Sequence, residues 1–243
     1  MWYEWIAIPL VLGISGVVQG ATGFGFGLTA IAIMGTFYDV KQATIVTIFG
    51  AITLNVVVLS KLYREVAFKS VWPLMVCSVI AIPFGVVFLK SSDPTLFKVL
   101  VGVVLVVAAV RGFMHHQDSK PWHPYWIGAP MGVLAGLLSG AFGTGGPPVV
   151  AYVASQGYNR FRYAATIQLI FMMNGIVRVA ELMRQDLLTR ELALLSAAGA
   201  ACVVLGALAG LRILKWFSDE RLRRVVSVML LLLALQFFSV LMF

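Results

Sequence analysis

The chain has 243 residues, 60% of them hydrophobic, with 12% Asp, Glu, Lys and Arg and a formal net charge of +8. That is about half the charged share of an ordinary soluble domain, which excludes disorder and argues against a water-soluble globule. The basic residues lie in short segments between apolar runs, as in cytoplasmic loops of membrane proteins, so the charge calls for a lipid bilayer and for no nucleic acid.

The apolar runs, in chain order, are residues 2–37, 43–59, 70–89, 97–110, 125–157, 163–183, 192–211 and 225–243. The first has no basic segment ahead of it and reads as a retained membrane segment, not a cleaved signal. Six runs are single spans. The first and fifth exceed the roughly 20 residues that cross a bilayer core. Each is interrupted by glycines: Gly20-Ala-Thr-Gly-Phe-Gly-Phe-Gly27 in the first and Gly140-Ala-Phe-Gly-Thr-Gly-Gly-Pro-Pro148 in the fifth. The polar loops at 61–69, 114–124, 184–191 and 215–224 are too short for a soluble domain. Cys77 and Cys202 lie inside apolar runs and read as free thiols, which leaves neither a disulfide framework nor a metal site.

The chain also resembles itself. An offset of 120 aligns Gly16, Gly20, Ala21, Gly23 and Gly25 with Gly136, Gly140, Ala141, Gly143 and Gly145. An offset of 122 aligns residues 43–49 with 165–171 at five of seven positions. The reading is one transmembrane domain over 1–243, with repeat 1 at about 1–113 and repeat 2 at about 124–243. Such duplication is common in secondary transporters, whose sites lie at discontinuous helices between the halves. If each broken run crossed the membrane once, Lys and Arg would divide ten to eight between the faces. If each enters and returns as a hairpin, the division becomes twelve to six, each half crosses three times and the halves are inverted. The hairpin arrangement follows the positive-inside rule better and puts the basic loops in the cytoplasm, with both ends of the chain outside it.

Non-helical backbone within a bilayer must be buried in protein or line a wet cavity. Half-helices are expected over 28–38 and 149–157, roughly 14 to 17 Å long at 1.5 Å per residue. Their N-termini expose amides and positive partial charge, which suit an anion. The expected site is Thr22, Gly23, Gly25, Gly27, Thr144, Gly145, Gly146 and Pro147, with Gln168, Asn174 and Arg178 from the sixth run. Glycine lets backbone approach the ligand, the two threonines add hydroxyl donors, and proline suits a helix start. Arg178 offers a forked set of donors to an oxyanion, and pairing with Glu181 at i,i+3 is its structural alternative. Gln19 and Asn55 are further polar residues within spans. Gly128, Gly132, Gly136 and Gly140, each four apart, form a smooth ridge for another helix, with shorter versions at Gly16/Gly20 and Gly206/Gly210.

All ten acidic residues lie in loops or near span ends, which argues against a cation cargo. His115, His116 and His123 share one loop, far from any nucleophile. Ser139 has no base or lysine partner on its helix, which argues against an intramembrane hydrolase and leaves no catalytic residue.

The stretch Gly136-Leu-Leu-Ser-Gly-Ala-Phe-Gly-Thr-Gly-Gly-Pro-Pro-Val-Val, followed by Asn159-Arg-Phe-Arg-Tyr-Ala-Ala-Thr and Asn174, resembles the second-half motif of the TauE/SafE sulfite exporter family. Gly20-Ala-Thr-Gly-Phe-Gly-Phe-Gly-Leu resembles its first-half partner. The resemblance covers nearly the whole chain and implies an all-α integral membrane permease in a bacterial inner membrane. It implies that the cargo is a small sulfur-containing anion such as sulfite or sulfoacetate, with no cofactor and no enzymatic activity. Phe26 and Leu28 stand where the second half has Gly146 and Pro148, so the half-sites are not equivalent. The expected architecture is two pseudo-symmetric inverted repeats, each a re-entrant broken-helix hairpin plus three transmembrane helices, working by alternating access. A passive anion channel and a non-transporting scaffold or assembly factor are the rival functions, and a homodimer is compatible with the reading.

Overall fold

The computed structural model describes residues 4–35, 37–91 and 122–242, and every regular element among them is helical. In order these are α1 (Glu4–Thr22), α2 (Phe26–Met34), α3 (Val40–Leu62), α4 (Phe68–Ser91), α5 (Ala129–Phe142), α6 (Gly146–Ala154), α7 (Arg160–Arg184), α8 (Arg190–Ala198), α9 (Ala200–Trp216) and α10 (Asp219–Met242). A 3-10 turn, Tyr63–Glu65, follows α3, and a π turn, Pro124–Gly128, leads into α5. The span expected over 97–110, with His115 and His116, lies outside the described residues.

Among the described residues, five segments are long and apolar enough to cross a membrane: Glu4–Thr22, Lys41–Glu65, Phe68–Phe88, Pro124–Phe142 and Arg160–Arg184. A sixth, α8 with α9, is bent by 42°. The sequence suggested an unbroken span there, but the helix bends at Gly199, where a β-carbon would stand 2.5 Å from Leu12 Cδ1 on α1. The outward surfaces are as apolar as the inner ones. On α4, Trp72, Val76, Ile80 and Phe84 are exposed while Val71, Leu74, Ile82 and Val86 are buried. A helix greasy on all sides is at home in lipid, and the chain is a multi-pass membrane protein.

Two extensive helix pairs, α1 against α9 and α4 against α5, organise the bundle. Both are sealed by glycine. A β-carbon on Gly132, Gly136 or Gly140 would collide with the carbonyls of Leu74, Ser78 or Ile82 on α4. Gly128, the fourth member of the expected ridge, instead faces the Tyr152 ring. On α1, a β-carbon on Gly20 would come within 2.8 Å of the Ala207 carbonyl oxygen, and one on Gly206 would strike that of Gly13. Such close backbone approach maximises dispersion contact, the main attraction available between helices in lipid. α3 and α7 pack together between these pairs, and α4 also touches α7 as α9 touches α3.

Both glycine breaks form where expected, with half-helices that start earlier than the sequence suggested. α2 begins at Phe26 and α6 at Gly146, each nine residues long, or about 13.5 Å. α1 ends on Gly23 at φ +86°, whose amide bonds the Gln19 carbonyl at 2.7 Å. α5 ends on Gly143 at φ +67° in an αL cap: Gly143 N donates to Ser139 O, and Thr144 N reaches back to Leu138 O. The arms of the second pair end close together: Gln156, just past α6, donates to the carbonyl of Trp122, just before α5, at 3.1 Å.

A further set of contacts gathers another group of turns. Ala67 N donates to Thr166 Oγ1 at 3.0 Å, Tyr152 Oη donates to the Ser70 carbonyl at 2.8 Å, Ser70 and Tyr158 share a hydroxyl hydrogen bond, and Arg160 pairs with Asp219 at 3.7 Å. These turns carry or adjoin Lys61, Arg64, Lys69, Arg162, Lys215, Arg221 and Arg224.

Candidate functional site

The two broken tips meet. A β-carbon on Gly27 would stand 2.8 Å from the Gly143 carbonyl oxygen and 3.6 Å from Thr144 Cγ2. Beside this junction is a cavity with about 70 Å³ open to the centres of water molecules, enough for several waters or a small oxyanion, since one water needs only about 10–15 Å³ by that measure. Its wall draws on both glycine breaks. Gln19 and Gly25 to Leu28 come from α1, α2 and the break between them, Ser139 and Gly143 to Gly146 from α5, α6 and theirs. Thr47, Ile48, Ala51 and Asn55 come from α3, and Phe171, Asn174, Gly175 and Arg178 from α7.

Among the described residues of that wall, Arg178 is the one that carries a charge. It is 3% exposed, and its Nη1 donates to the Thr44 carbonyl at 3.2 Å, while Nε and Nη2 are buried without a hydrogen-bond partner. The alternative pairing with Glu181 is not formed: Glu181 bonds Arg184 at 3.1 Å. The guanidinium lies flat against the αL tip of the second hairpin, where a β-carbon on Gly143 would stand 2.6 Å from Nη1. A buried cation lacking an acid partner costs several kcal/mol unless something negative joins it. One turn earlier, Asn174 Nδ2 donates to Ser78 Oγ at 2.8 Å and its Oδ1 is a buried orphan. Because the Ser78 hydroxyl serves equally as donor or acceptor, the amide can turn over and present its NH2 group instead.

A polar network holds the first break. Gln19 Oε1 accepts from Phe26 N at 3.0 Å, capping α2, and Gln19 Nε2 donates to Gln168 Oε1 at 2.9 Å and Asn55 Oδ1 at 3.3 Å. Gln168 Nε2 donates to the Gly23 carbonyl at 3.0 Å. One glutamine thus ties α1, α2, α3 and α7 together, and the next two residues of the first turn of α2, Gly27 and Leu28, lie on the cavity wall. The second tip is poorer in donors, since Pro147 and Pro148 have no N–H.

Of the residues singled out from sequence, the structure brings Gly25, Gly27, Thr144, Gly145, Gly146, Asn174 and Arg178 to the cavity. Thr22, Gly23, Pro147 and Gln168 stand off its wall. The Thr22 hydroxyl stands 2.8 Å from both the Val18 and the Phe24 carbonyl oxygens, which take its one proton between them, and Gln168 is fully buried as a strap on the first break. Sequence reasoning noticed Gln19 and Asn55 only as polar residues in spans, weighed Ser139 only as a nucleophile, and passed over Thr47 and Phe171. A signal was present on α3, where Thr47, Ala51 and Asn55 are four apart and so share a face.

The sequence pattern of the family described as sulfite exporter TauE/SafE matches residues 8–237. The chain is also 24% identical over 225 residues to the probable sulfite/organosulfonate exporter TauE of Cupriavidus necator, covering 90% of this chain and 88% of that protein. No solved structure matches the chain. An all-helical membrane chain with paired glycine breaks, matched over nearly its whole length, belongs to the TauE/SafE sulfite exporter family, a family of membrane exporters and not of enzymes.

Proposed function

We propose that this protein exports a small sulfur oxyanion, sulfite or an organosulfonate, which binds in the cavity between the two broken tips. The observation that carries the reading is Arg178: a buried, permanently charged guanidinium with two unpartnered nitrogens, on the wall of a cavity large enough for the ligand. Amides of Gly27, Leu28, Gly145 and Gly146 and the Asn174 and Thr144 side chains complete the donor set. Gln19, Gln168, Thr22, Gly23 and Pro147 hold the tips in shape.

The transport cycle is alternating access by two inverted halves, residues about 1–113 and about 124–243. Three features support this. The first helix of each half packs on a late helix of the other, α1 on α9 and α5 on α4, as a two-fold exchange requires. The second broken pair starts and finishes at one face, as a re-entrant hairpin does. The turns gathered around Ser70, Arg160 and Asp219 are rich in Lys and Arg, which supports a cytoplasmic face there by the positive-inside rule. Counterflow of labelled sulfite in proteoliposomes is the test. Wild-type protein exchanges sulfite, and Arg178→Gln, inserted at equal density, loses most of that flux. Undiminished exchange by Arg178→Gln overturns the site, and net flux without counterflow replaces the transporter by a channel.

A further inference from the structure

We infer that this site selects its cargo by charge: it takes monoanions, such as hydrogensulfite or a simple sulfonate, and discriminates against dianions of the same shape. The inference rests on the cavity being the anion site. Arg178 supplies one full positive charge, and among the described residues no Asp, Glu, His or Lys stands on the wall.

The helix ends do not add a second charge. An isolated N-terminus carries roughly half a positive charge, so α2 and α6 together would supply about one more unit. At each break, however, the N-terminus of the half-helix adjoins the C-terminus of the helix before it. α1 ends at Thr22 with α2 starting at Phe26, and α5 ends at Phe142 with α6 starting at Gly146. The opposed dipole ends largely cancel, and what remains is local N–H donation. That too is limited, because Gln19 already occupies the Phe26 amide and the two prolines of α6 have none.

A monoanion therefore leaves the cavity neutral, whereas a dianion leaves a net negative charge in a low-dielectric interior. Sulfite changes between these charge states in its second ionisation, close to neutral pH, while the wall of the site has nothing that titrates there. The apparent affinity for total sulfite then falls as pH rises through that ionisation, and the affinity for methanesulfonate does not change.

Equilibrium binding to purified protein at fixed ionic strength tests this with methanesulfonate, sulfate and sulfite. Methanesulfonate is expected to bind on the order of tenfold more tightly than sulfate. Sulfite should lose about tenfold in apparent affinity per pH unit above its second ionisation. The charge-keeping variant Arg178→Lys should retain the preference for methanesulfonate. Arg178-dependent binding in which sulfate is as tight as methanesulfonate, or sulfite tightens with pH, overturns the charge rule and leaves the site standing. Absence of binding by all three anions, or an unchanged preference in Arg178→Gln, overturns the site and the rule together.

Discussion

Gly143→Ala isolates the contact between Arg178 and the second tip. Two costs follow from the structure. The residue sits at φ +67°, a left-handed conformation that costs alanine about 1–2 kcal/mol. Its new β-carbon would stand 2.6 Å from Arg178 Nη1, 3.1 Å from Cζ and 3.3 Å from Nη2, so the guanidinium must move by nearly an ångström. That movement breaks the 3.2 Å bond to the Thr44 carbonyl and turns the fork away from the cavity. A hydrogen bond to a charged group is worth about 1.5–3 kcal/mol, so losing one good contact to the anion weakens binding roughly 10- to 100-fold. Gly157→Ala is the matched control. Gly157 has φ +70°, with nothing within 4 Å of an added β-carbon, so it carries the backbone cost without touching the site. The assay is paired: thermal unfolding and methanesulfonate binding of both variants in detergent. Gly157→Ala should lose the backbone cost alone, Gly143→Ala should lose that and the Arg178–Thr44 bond besides, and only Gly143→Ala should lose affinity. Equal affinity in the two variants would refute the assignment of Arg178 to the ligand.

Other substitutions separate frame from ligand contact. Thr22→Val removes a hydroxyl spent on the Val18 and Phe24 carbonyls; about 1 kcal/mol of stability should be lost, with anion affinity unchanged in the same binding assay. Gln168→Leu leaves the Gly23 carbonyl and Gln19 amide without their buried partner, and thermal unfolding should report a loss of about 1–3 kcal/mol, with less effect on binding than Arg178→Gln. Gly136→Leu drives a side chain into the Ser78 carbonyl on α4; the α4–α5 pair cannot close, and size-exclusion chromatography should show aggregate in place of a monodisperse peak.

The two breaks were legible because glycine clusters inside overlong apolar runs have few other uses in a bilayer. The ridge at Gly132, Gly136 and Gly140 was legible for a similar reason, since spacing alone puts the three on one helix face. Arg178 stood out as a charge deep in an apolar run, but its orientation did not: Glu181 three residues on offered a partner, and only the fold shows that Glu181 turns to Arg184. From sequence Thr22 reads as a donor to cargo because it is a hydroxyl within a break, and Gln168 because it is a polar residue inside a span. Sequence carries no information on whether such donors face a cavity or are consumed by neighbouring carbonyls. The reverse error concealed Gln19, whose place between Asn55, Gln168 and Phe26 depends on pairings across the chain. The bend at Gly199 was missed because Leu12, which crowds it, is remote in sequence.

A structure of the protein with selenite as a heavier analogue of sulfite, collected at the selenium absorption edge, addresses the anion site itself. The account predicts one anomalous peak between the broken tips, within hydrogen-bonding reach of Arg178 Nε or Nη2 and of the Gly27 or Gly146 amide. A peak elsewhere, with the cavity filled only by water, would contradict it.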